Sequence, residues 1–115
     1  MRFLAVIAML LAFVPAASAE VSISIGLDSY DVSMRTLRYE CDDGQAFLVQ
    51  YITSETNALA LLPVEGDRRV FVNVVSASGA RYMSGQYEWW TAGEHATLSD
   101  LIKDKPLLQC KSPSE

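Results

Sequence analysis

Residues 37–53, LRYECDDGQAFLVQYIT, have the pattern of two strands joined by a tight turn, and they decide the fold class. Apolar and polar side chains alternate along 37–41, and the run 47–53 is rich in the β-branched and aromatic residues that favour strands. Between them, Asp-Asp-Gly at 42–44 tolerates the positive φ of a hairpin turn. The stretch therefore predicts an antiparallel β-hairpin.

Further short strands are predicted on both sides of this hairpin, separated by turns rich in glycine, proline and aspartate. They cover residues 21–27, 58–62, 70–75, 80–83, 87–91, 96–98 and 107–110, with a turn at 63–67. Only residues 98–105 could form a helical turn, and this segment is too short to stand as a packed helix. The pattern predicts an all-β antiparallel barrel or sandwich, and we prefer a small barrel because closing the sheet removes its exposed edges.

Residues 1–19 have the pattern of a signal peptide. Arg2 precedes an apolar run over 3–14, a proline break and the small-residue sequence Ala-Ser-Ala. The competing interpretation is a membrane anchor, but the run is shorter than the ~20 residues needed to span a bilayer. Cleavage after Ala19 is expected to leave one domain, residues 20–115. No cysteine directly follows the cleavage site, so the chain has no acceptor for a lipid anchor of the bacterial lipoprotein type. We therefore expect a periplasmic protein that is not lipidated and has no membrane anchor.

The chain is acidic, with a formal net charge of −5 at pH 7. Nucleic acid is an improbable partner, because binding it relies on lysine and arginine to neutralise phosphates. A basic protein partner is favoured, since opposite charges raise the rate of encounter. From the charge alone, however, the preferred interpretation is that the acidity only keeps an exported protein soluble.

The two cysteines, Cys41 and Cys110, are predicted to form a disulfide in the oxidising compartment to which the chain is routed. Closing the long loop between Cys41 and Cys110 would stabilise the fold by about 4 kcal/mol. Metal ligation by the two thiolates is the weaker alternative, because the chain has a single histidine, His95, and no CxxC motif. No metal and no cofactor are expected.

Residue types of a nucleophilic triad occur at Ser78, His95 and Asp100, but the sequence around the serine lacks the G-x-S-x-G elbow of such enzymes. The aspartates of the predicted 42–44 turn are explained by turn conformation. The sequence therefore predicts a binding protein and not an enzyme.

The stretch SASGARYMSGQYEWWTAG, residues 76–93, has the composition of a binding site. Ser78 offers a hydroxyl beside the unobstructed backbone of Gly79, and Arg81 offers a fork of hydrogen-bond donors. The two tryptophans fall on opposite faces of the predicted strand. At least one of them is therefore expected in the core.

Several short motifs follow one another along the chain. They are Y-E-C-D-D-G at 39–44, S-A-S-G-A-R-Y at 76–82, the frame G-x-x-x-x-W-x-x-G at 85–93, A-T-L at 96–98 and the final Cys110. Because these motifs occur in this order and spacing, the chain resembles the bacterial inhibitors of c-type lysozyme. This family has a membrane-bound branch (MliC) and a periplasmic branch (PliC). The missing lipid-acceptor cysteine favours the periplasmic branch.

The resemblance implies a barrel of about eight strands that occludes the cleft of a c-type lysozyme, a basic glycoside hydrolase, and so protects peptidoglycan. Such lysozymes use a general-acid glutamate and a second, ionised carboxylate, which a hydroxyl donor and a cation would satisfy. The implied lysozyme-binding residues of the first loop are Ser78, Gly79, Arg81 and Tyr82. Those that position or form the second loop are Tyr87, Trp90, Ala92 and Gly93.

Ala92 departs from the family pattern, because the family has a lysine at this place, fourteen residues after Ser78. Three interpretations stay open: Arg81 or another donor compensates, the target is a different lysozyme or muramidase, or inhibition is weakened or lost while the fold remains. The rival function is an exported barrel that binds a small ligand or glycan, which would show a large internal apolar pocket. An envelope assembly protein would instead show a broad exposed apolar patch. The oligomeric state, a homodimer included, is left open.

Overall fold

The structure is a computed structural model that describes residues 11–15, 22, 24, 26 and 31–113. Within these residues, eight antiparallel strands follow in chain order, and the last returns to the first to close a barrel. The strands are β1 (Ser33–Cys41), β2 (Ala46–Thr53), β3 (Ala58–Val64), β4 (Asp67–Val74), β5 (Ala80–Ser84), β6 (Tyr87–Ala92), β7 (His95–Asp100) and β8 (Lys105–Lys111). The predicted all-β barrel of about eight strands is confirmed.

Every strand predicted between residues 37 and 110 is present, and most extend beyond the predicted bounds. The strand predicted at 21–27 and the segment 1–19 lie mainly outside the described residues, and the described ones there have no regular secondary structure. In the described part of the chain, no helix is long and apolar enough to cross a membrane.

Residues 98–105 do not form the helical turn that their pattern allows. β7 continues to Asp100, a turn follows, and β8 begins at Lys105. Asp100 Oδ1 accepts hydrogen bonds from the backbone N–H groups of Ile102 at 3.0 Å and Lys103 at 3.1 Å. The same contact caps the first turn of a helix, but here only residues 101–104 lie between the two strands, so it closes a single turn.

Inward-facing side chains alternate with outward-facing ones and fill the barrel, as expected for eight strands. Trp89 and Phe71 are fully buried near its centre. The Trp89 ring packs edge-on against Tyr39, with ring centroids 5.1 Å apart, and its Nε1–H donates to the Tyr51 hydroxyl at 2.9 Å. The expectation that one tryptophan belongs to the core is confirmed.

The barrel closes at a short seam between β1 and β8. Only Glu40 with Lys111 and Cys41 with Cys110 are paired there, and the two cysteines are joined by a disulfide. The predicted disulfide is confirmed, and it holds covalently the strand pair with the fewest backbone contacts. Among the described residues, no group of three His, Cys, Asp or Glu side chains could hold a metal ion.

The up-and-down strand order places alternate connections at the same end of the barrel. The β4–β5 connection, residues 75–79, is called the serine loop, and the β6–β7 connection, residues 93 and 94, is called the glycine turn. Both lie at the end where β1 starts and β8 finishes. The two segments that the sequence selected are therefore neighbours.

Candidate functional site

The serine loop is held by the backbone carbonyl of Ser78. This oxygen accepts one hydrogen bond from Ser76 Oγ at 2.6 Å and another from Trp90 Nε1 at 3.0 Å. A carbonyl oxygen has two lone pairs, so both are used. The Ser78 side chain is exposed, and within the described part of the chain its hydroxyl makes no hydrogen bond. The loop thus has a fixed backbone and presents one hydroxyl to solvent.

Gly79 brings the serine loop into direct contact with β6. Its φ is +65°, and a Cβ atom there would lie 2.3 Å from the carbonyl oxygen of Thr91 and 3.2 Å from the Trp90 ring. No side chain fits in this space, since real Cβ atoms do not approach a backbone oxygen so closely. Glycine is therefore required for the loop to lie against the strand.

Trp90 is half-buried on the outside of the barrel, the opposite face to Trp89. Its indole covers Gly79 and its N–H holds the carbonyl of Ser78. Arg81 lies opposite Trp90 in the β5–β6 pairing. The Arg81 Nε atom is 2.5 Å from Glu88 Oε2, and the two side chains are 36% and 20% exposed. Arg81 therefore orders the outer face beside the loop and does not project from its tip.

The glycine turn is bounded by Ala92 and His95, which are paired across it. Gly93 has a φ of +59° with open space around it. Glu94 ties the turn to the end of β8: its Oε2 is 3.7 Å from Lys111 Nζ, and its carbonyl accepts the backbone N–H of residue 112 at 2.9 Å. Side chains alternate between the two faces along a strand, so Ala92, two residues after Trp90, lies on the same outer face.

Tyr82 and Tyr87 lie in different parts of the barrel. Tyr82 is buried beneath the end that carries the two connections, with its ring centroid 5.7 Å from that of Tyr51. Tyr87 lies at the other end of β6, where the Arg69 guanidinium stacks 4.8 Å above its ring. The structure brings the remaining predicted residues together at one end but does not bring Tyr87 to them.

The triad residue types are not assembled. His95 and Asp100 begin and end β7, so their Cα atoms are about 16 Å apart at the usual rise per strand residue. Asp100 is instead buried at a turn, and hydrogen bonds, foremost from the Lys103 backbone, lower the pKa of its carboxyl group. Ser78 lies at the end of the barrel away from Asp100.

Ser76 and Thr91 belong to the site, although their sequence positions did not single them out. Ser76 Oγ holds the Ser78 carbonyl, and the Thr91 carbonyl forms the surface on which Gly79 rests. Serine hydroxyls commonly bond nearby backbone in loops, which was the available signal for Ser76. A backbone contact such as that of Thr91 leaves no trace in residue type.

Residues 39–106 match the family model described as membrane-bound lysozyme-inhibitor of c-type lysozyme. The chain belongs to this family. Two curated relatives carry the name membrane-bound lysozyme inhibitor of C-type lysozyme. The protein from Cupriavidus necator is 47% identical over 70 residues, which are 61% of this chain and 56% of the relative. The protein from Pseudomonas aeruginosa is 52% identical over 65 residues, 56% of this chain and 51% of the relative. The chain thus spans about half the length of these curated relatives.

Two solved structures have the same barrel. Pseudomonas aeruginosa MliC, solved in complex with hen egg white lysozyme, superposes with a TM-score of 0.69 at 41% identity, covering 84% of this chain and 99% of that one. PliC of Salmonella typhimurium, a periplasmic lysozyme inhibitor of C-type lysozyme, superposes with a TM-score of 0.63 at 28% identity, covering 71% and 100%. The predicted family is confirmed, and with it the prediction of a binding protein and not an enzyme.

The predicted localisation is wrong. The matched family and the curated relatives are membrane-bound by name, which conflicts with a periplasmic protein that is neither lipidated nor anchored. The prediction rested on the missing cysteine after Ala19. That absence does not decide whether the chain is held at a membrane.

Proposed function

We propose that this chain binds and inhibits c-type lysozyme by placing the serine loop and the glycine turn in the active-site cleft. The observation that carries the proposal is the construction of the serine loop, in which the Ser78 carbonyl is held twice while its hydroxyl is exposed. The similarity to an MliC solved with hen egg white lysozyme supports the same partner.

In this proposal the hydroxyl of Ser78 donates a hydrogen bond to one of the two acids of the cleft. The positive charge that Ala92 lacks comes from Lys111, because its ammonium group already lies beside the glycine turn, 3.7 Å from Glu94. Arg81 is the weaker source of this charge, since its Nε atom lies 2.5 Å from Glu88 and its side chain is 36% exposed, whereas the Lys111 side chain is more loosely paired and 58% exposed.

The test is a titration of the protein into hen egg white lysozyme acting on bacterial cell walls. Ser78→Ala should weaken inhibition about ten- to a hundredfold, the value of a hydrogen bond to a charged group. Ser99→Ala is the matched control, because it makes the same chemical change in the half-buried surface of β7. Lys111→Ala should also weaken inhibition, whereas Lys105→Ala at the start of β8 should not.

Potency should fall as salt is added, since screening weakens attraction between an acidic inhibitor and a basic enzyme. Full lysozyme activity beside a large excess of the folded protein would end the proposal. Equal inhibition by Ser78→Ala and Ser99→Ala would show that the serine loop is not the contact.

We further propose that residues 1–19 are an export signal and that residues 20–115 form the working domain. The barrel strands begin at Ser33 and end at Lys111, so cleavage after Ala19 removes none of them. Mass spectrometry of the protein purified from a bacterial envelope should find Glu20 as the first residue. Retention of the apolar run would contradict this.

We also propose that the protein forms a homodimer through an outer apolar face. This face is one cross-strand row over five neighbouring strands, in which each residue pairs with the next. The row is Met34, Ile52, Leu59, Val72 and Met83. Met34 is 66% and Val72 is 52% exposed, so a second copy would remove apolar area from water. Light scattering should show a dimer that Val72→Glu dissociates, and a monomer at all concentrations would refute it.

A further inference from the structure

Val75, the first residue of the serine loop, is 93% exposed. It is the most exposed large apolar residue of the closed barrel, residues 33–111, and the next, Ile102, is 76% exposed. A single exposed valine needs no explanation by itself. Its place matters here, because Val75 lies three residues before Ser78 in a loop that reverses direction. That spacing keeps their two Cα atoms within about 11 Å of each other.

The serine loop is fixed at both ends, so Val75 cannot fold back onto the barrel. Val74, directly before it, pairs with Arg81 in the β4–β5 ladder, and Asn73 Nδ2 donates to the Arg81 carbonyl at 3.1 Å. The other end of the loop rests on β6 through Gly79. The free protein therefore holds an apolar side chain in water, and a partner that covers it gains this area without first ordering the loop.

The composition of the serine loop is that of the core of a protein interface. Residues 75–79, Val-Ser-Ala-Ser-Gly, include no charged side chain. Charged side chains stand beside the loop in two ion pairs, one between β5 and β6 and one between the glycine turn and β8. Interfaces commonly have such an arrangement, since their cores are depleted in charge and their rims are polar. Val75 is the largest apolar residue of this uncharged loop.

The cleft of a c-type lysozyme offers a surface that matches a valine beside a hydroxyl. The general-acid glutamate of such an enzyme lies in an apolar pocket, and this environment raises its pKa. A hydroxyl donor alone would leave the apolar wall of that pocket exposed to water. An apolar side chain close to the donor would cover the wall as well.

We propose that Val75 is a further lysozyme-contact residue, buried against an apolar wall of the cleft when the serine loop enters it. The inference rests on the proposed inhibition of c-type lysozyme and adds to it a contact that acts without charge. Because Val75 is almost fully exposed in the free protein, its side chain contributes to binding and adds little to the stability of the fold.

The experiment measures the inhibition constant against hen egg white lysozyme, beside the melting temperature. Val75→Thr keeps the branched shape but buries a hydroxyl, so it should weaken inhibition about tenfold or more. Val75→Ala removes two carbon atoms and should weaken it about tenfold. Neither change should lower the melting temperature appreciably. Val70→Thr is the matched control, because it makes the same change at a 40% exposed residue in the middle of β4 and should inhibit as the wild type does.

The salt dependence separates this contact from the charged ones. The loss caused by Val75→Thr should be the same at low and at moderate salt, because screening acts on charges and not on apolar contacts. The loss caused by Lys111→Ala should shrink over the same range.

Three results would overturn the inference. If Ser78→Ala weakens inhibition while both Val75 variants inhibit as the wild type does, the apolar contact does not exist and the proposed inhibitor function stands. Equal weakening by Val75→Thr and Val70→Thr would show that the effect does not arise at the loop. If the wild type leaves lysozyme fully active, the contact and the proposed function fail together.

Discussion

Replacement of Gly79 by alanine is the most direct test of how the serine loop is built. The added Cβ atom would lie 2.3 Å from the Thr91 carbonyl oxygen and 3.2 Å from the Trp90 ring. The oxygen belongs to a paired strand and does not yield easily, so the loop has to move away from β6. That movement lengthens the hydrogen bond from Trp90 Nε1 to the Ser78 carbonyl, now 3.0 Å.

The size of the effect follows from these contacts. An alanine at φ +65° costs about 1–2 kcal/mol because left-handed backbone is strained for residues with a Cβ. The weakened Trp90 hydrogen bond adds about 0.5–1.5 kcal/mol. A total of about 2–3 kcal/mol lowers the melting temperature of a domain this size by roughly 10 °C or more. In the proposed complex the displaced Ser78 hydroxyl loses its acid partner in the lysozyme cleft, so inhibition should weaken about ten- to a hundredfold.

The assay is the inhibition constant against hen egg white lysozyme, measured beside the melting temperature. Gly66→Ala is the matched control, because Gly66 has a φ of +88° but open space around it, in the β3–β4 turn at the other end of the barrel. It carries the backbone strain without the clash, so it should lower stability and leave inhibition intact. If Gly79→Ala inhibits as well as Gly66→Ala does, the contact with β6 does not position the loop for binding.

Three further variants test separate features. Trp90→Phe keeps an aromatic ring but removes the five-membered ring and with it the N–H that holds Ser78, so inhibition should fall severalfold with a small loss of melting temperature; unchanged inhibition would show that Ser76 alone fixes the carbonyl. Ala92→Lys restores the charge of the family pattern beside the serine loop and should tighten inhibition about tenfold; no change in the inhibition constant would mean that this position does not reach the cleft. Asp100→Asn tests the β7–β8 turn: because the folded-state pKa is lowered, the carboxylate stabilises the fold above the ordinary pKa of 3.8, and this contribution is lost as the pH falls through the folded value. The difference in melting temperature between wild type and Asp100→Asn should therefore be largest near neutral pH and shrink as the pH falls below 3.8, and a difference independent of pH would refute this role of Asp100.

The strands could be predicted because their signals are local. Alternation of apolar and polar residues fixes which side chains face inward, and turn residues such as Gly44 mark where strands end. The disulfide followed from there being only two cysteines in a chain predicted to be exported. The eight-strand count and the site residues came from the motifs of the family resemblance.

Other features depend on contacts between residues far apart in sequence. Alternation shows which face of β6 Tyr87 occupies but not that it packs under Arg69, away from the loops. The turn made by Asp100 depends on where its carboxylate points. The overhang of β1 past β8 arises from the stagger of the closed barrel. None of these has a signature in residue type.

The candidate site separates residues that hold the serine loop from residues that we propose to face the partner. Ser76, Gly79 and Trp90 hold the loop through contacts with its backbone. The loop therefore loses its conformational entropy during folding and not during binding. Ser78 and Ala92 take part through side chains that hold nothing in place within the described chain. Such a frame lets a contact residue change without disturbing the loop. The exchange of lysine for alanine at position 92 is therefore compatible with an intact loop, and restoring the lysine tests the contact without perturbing the fold.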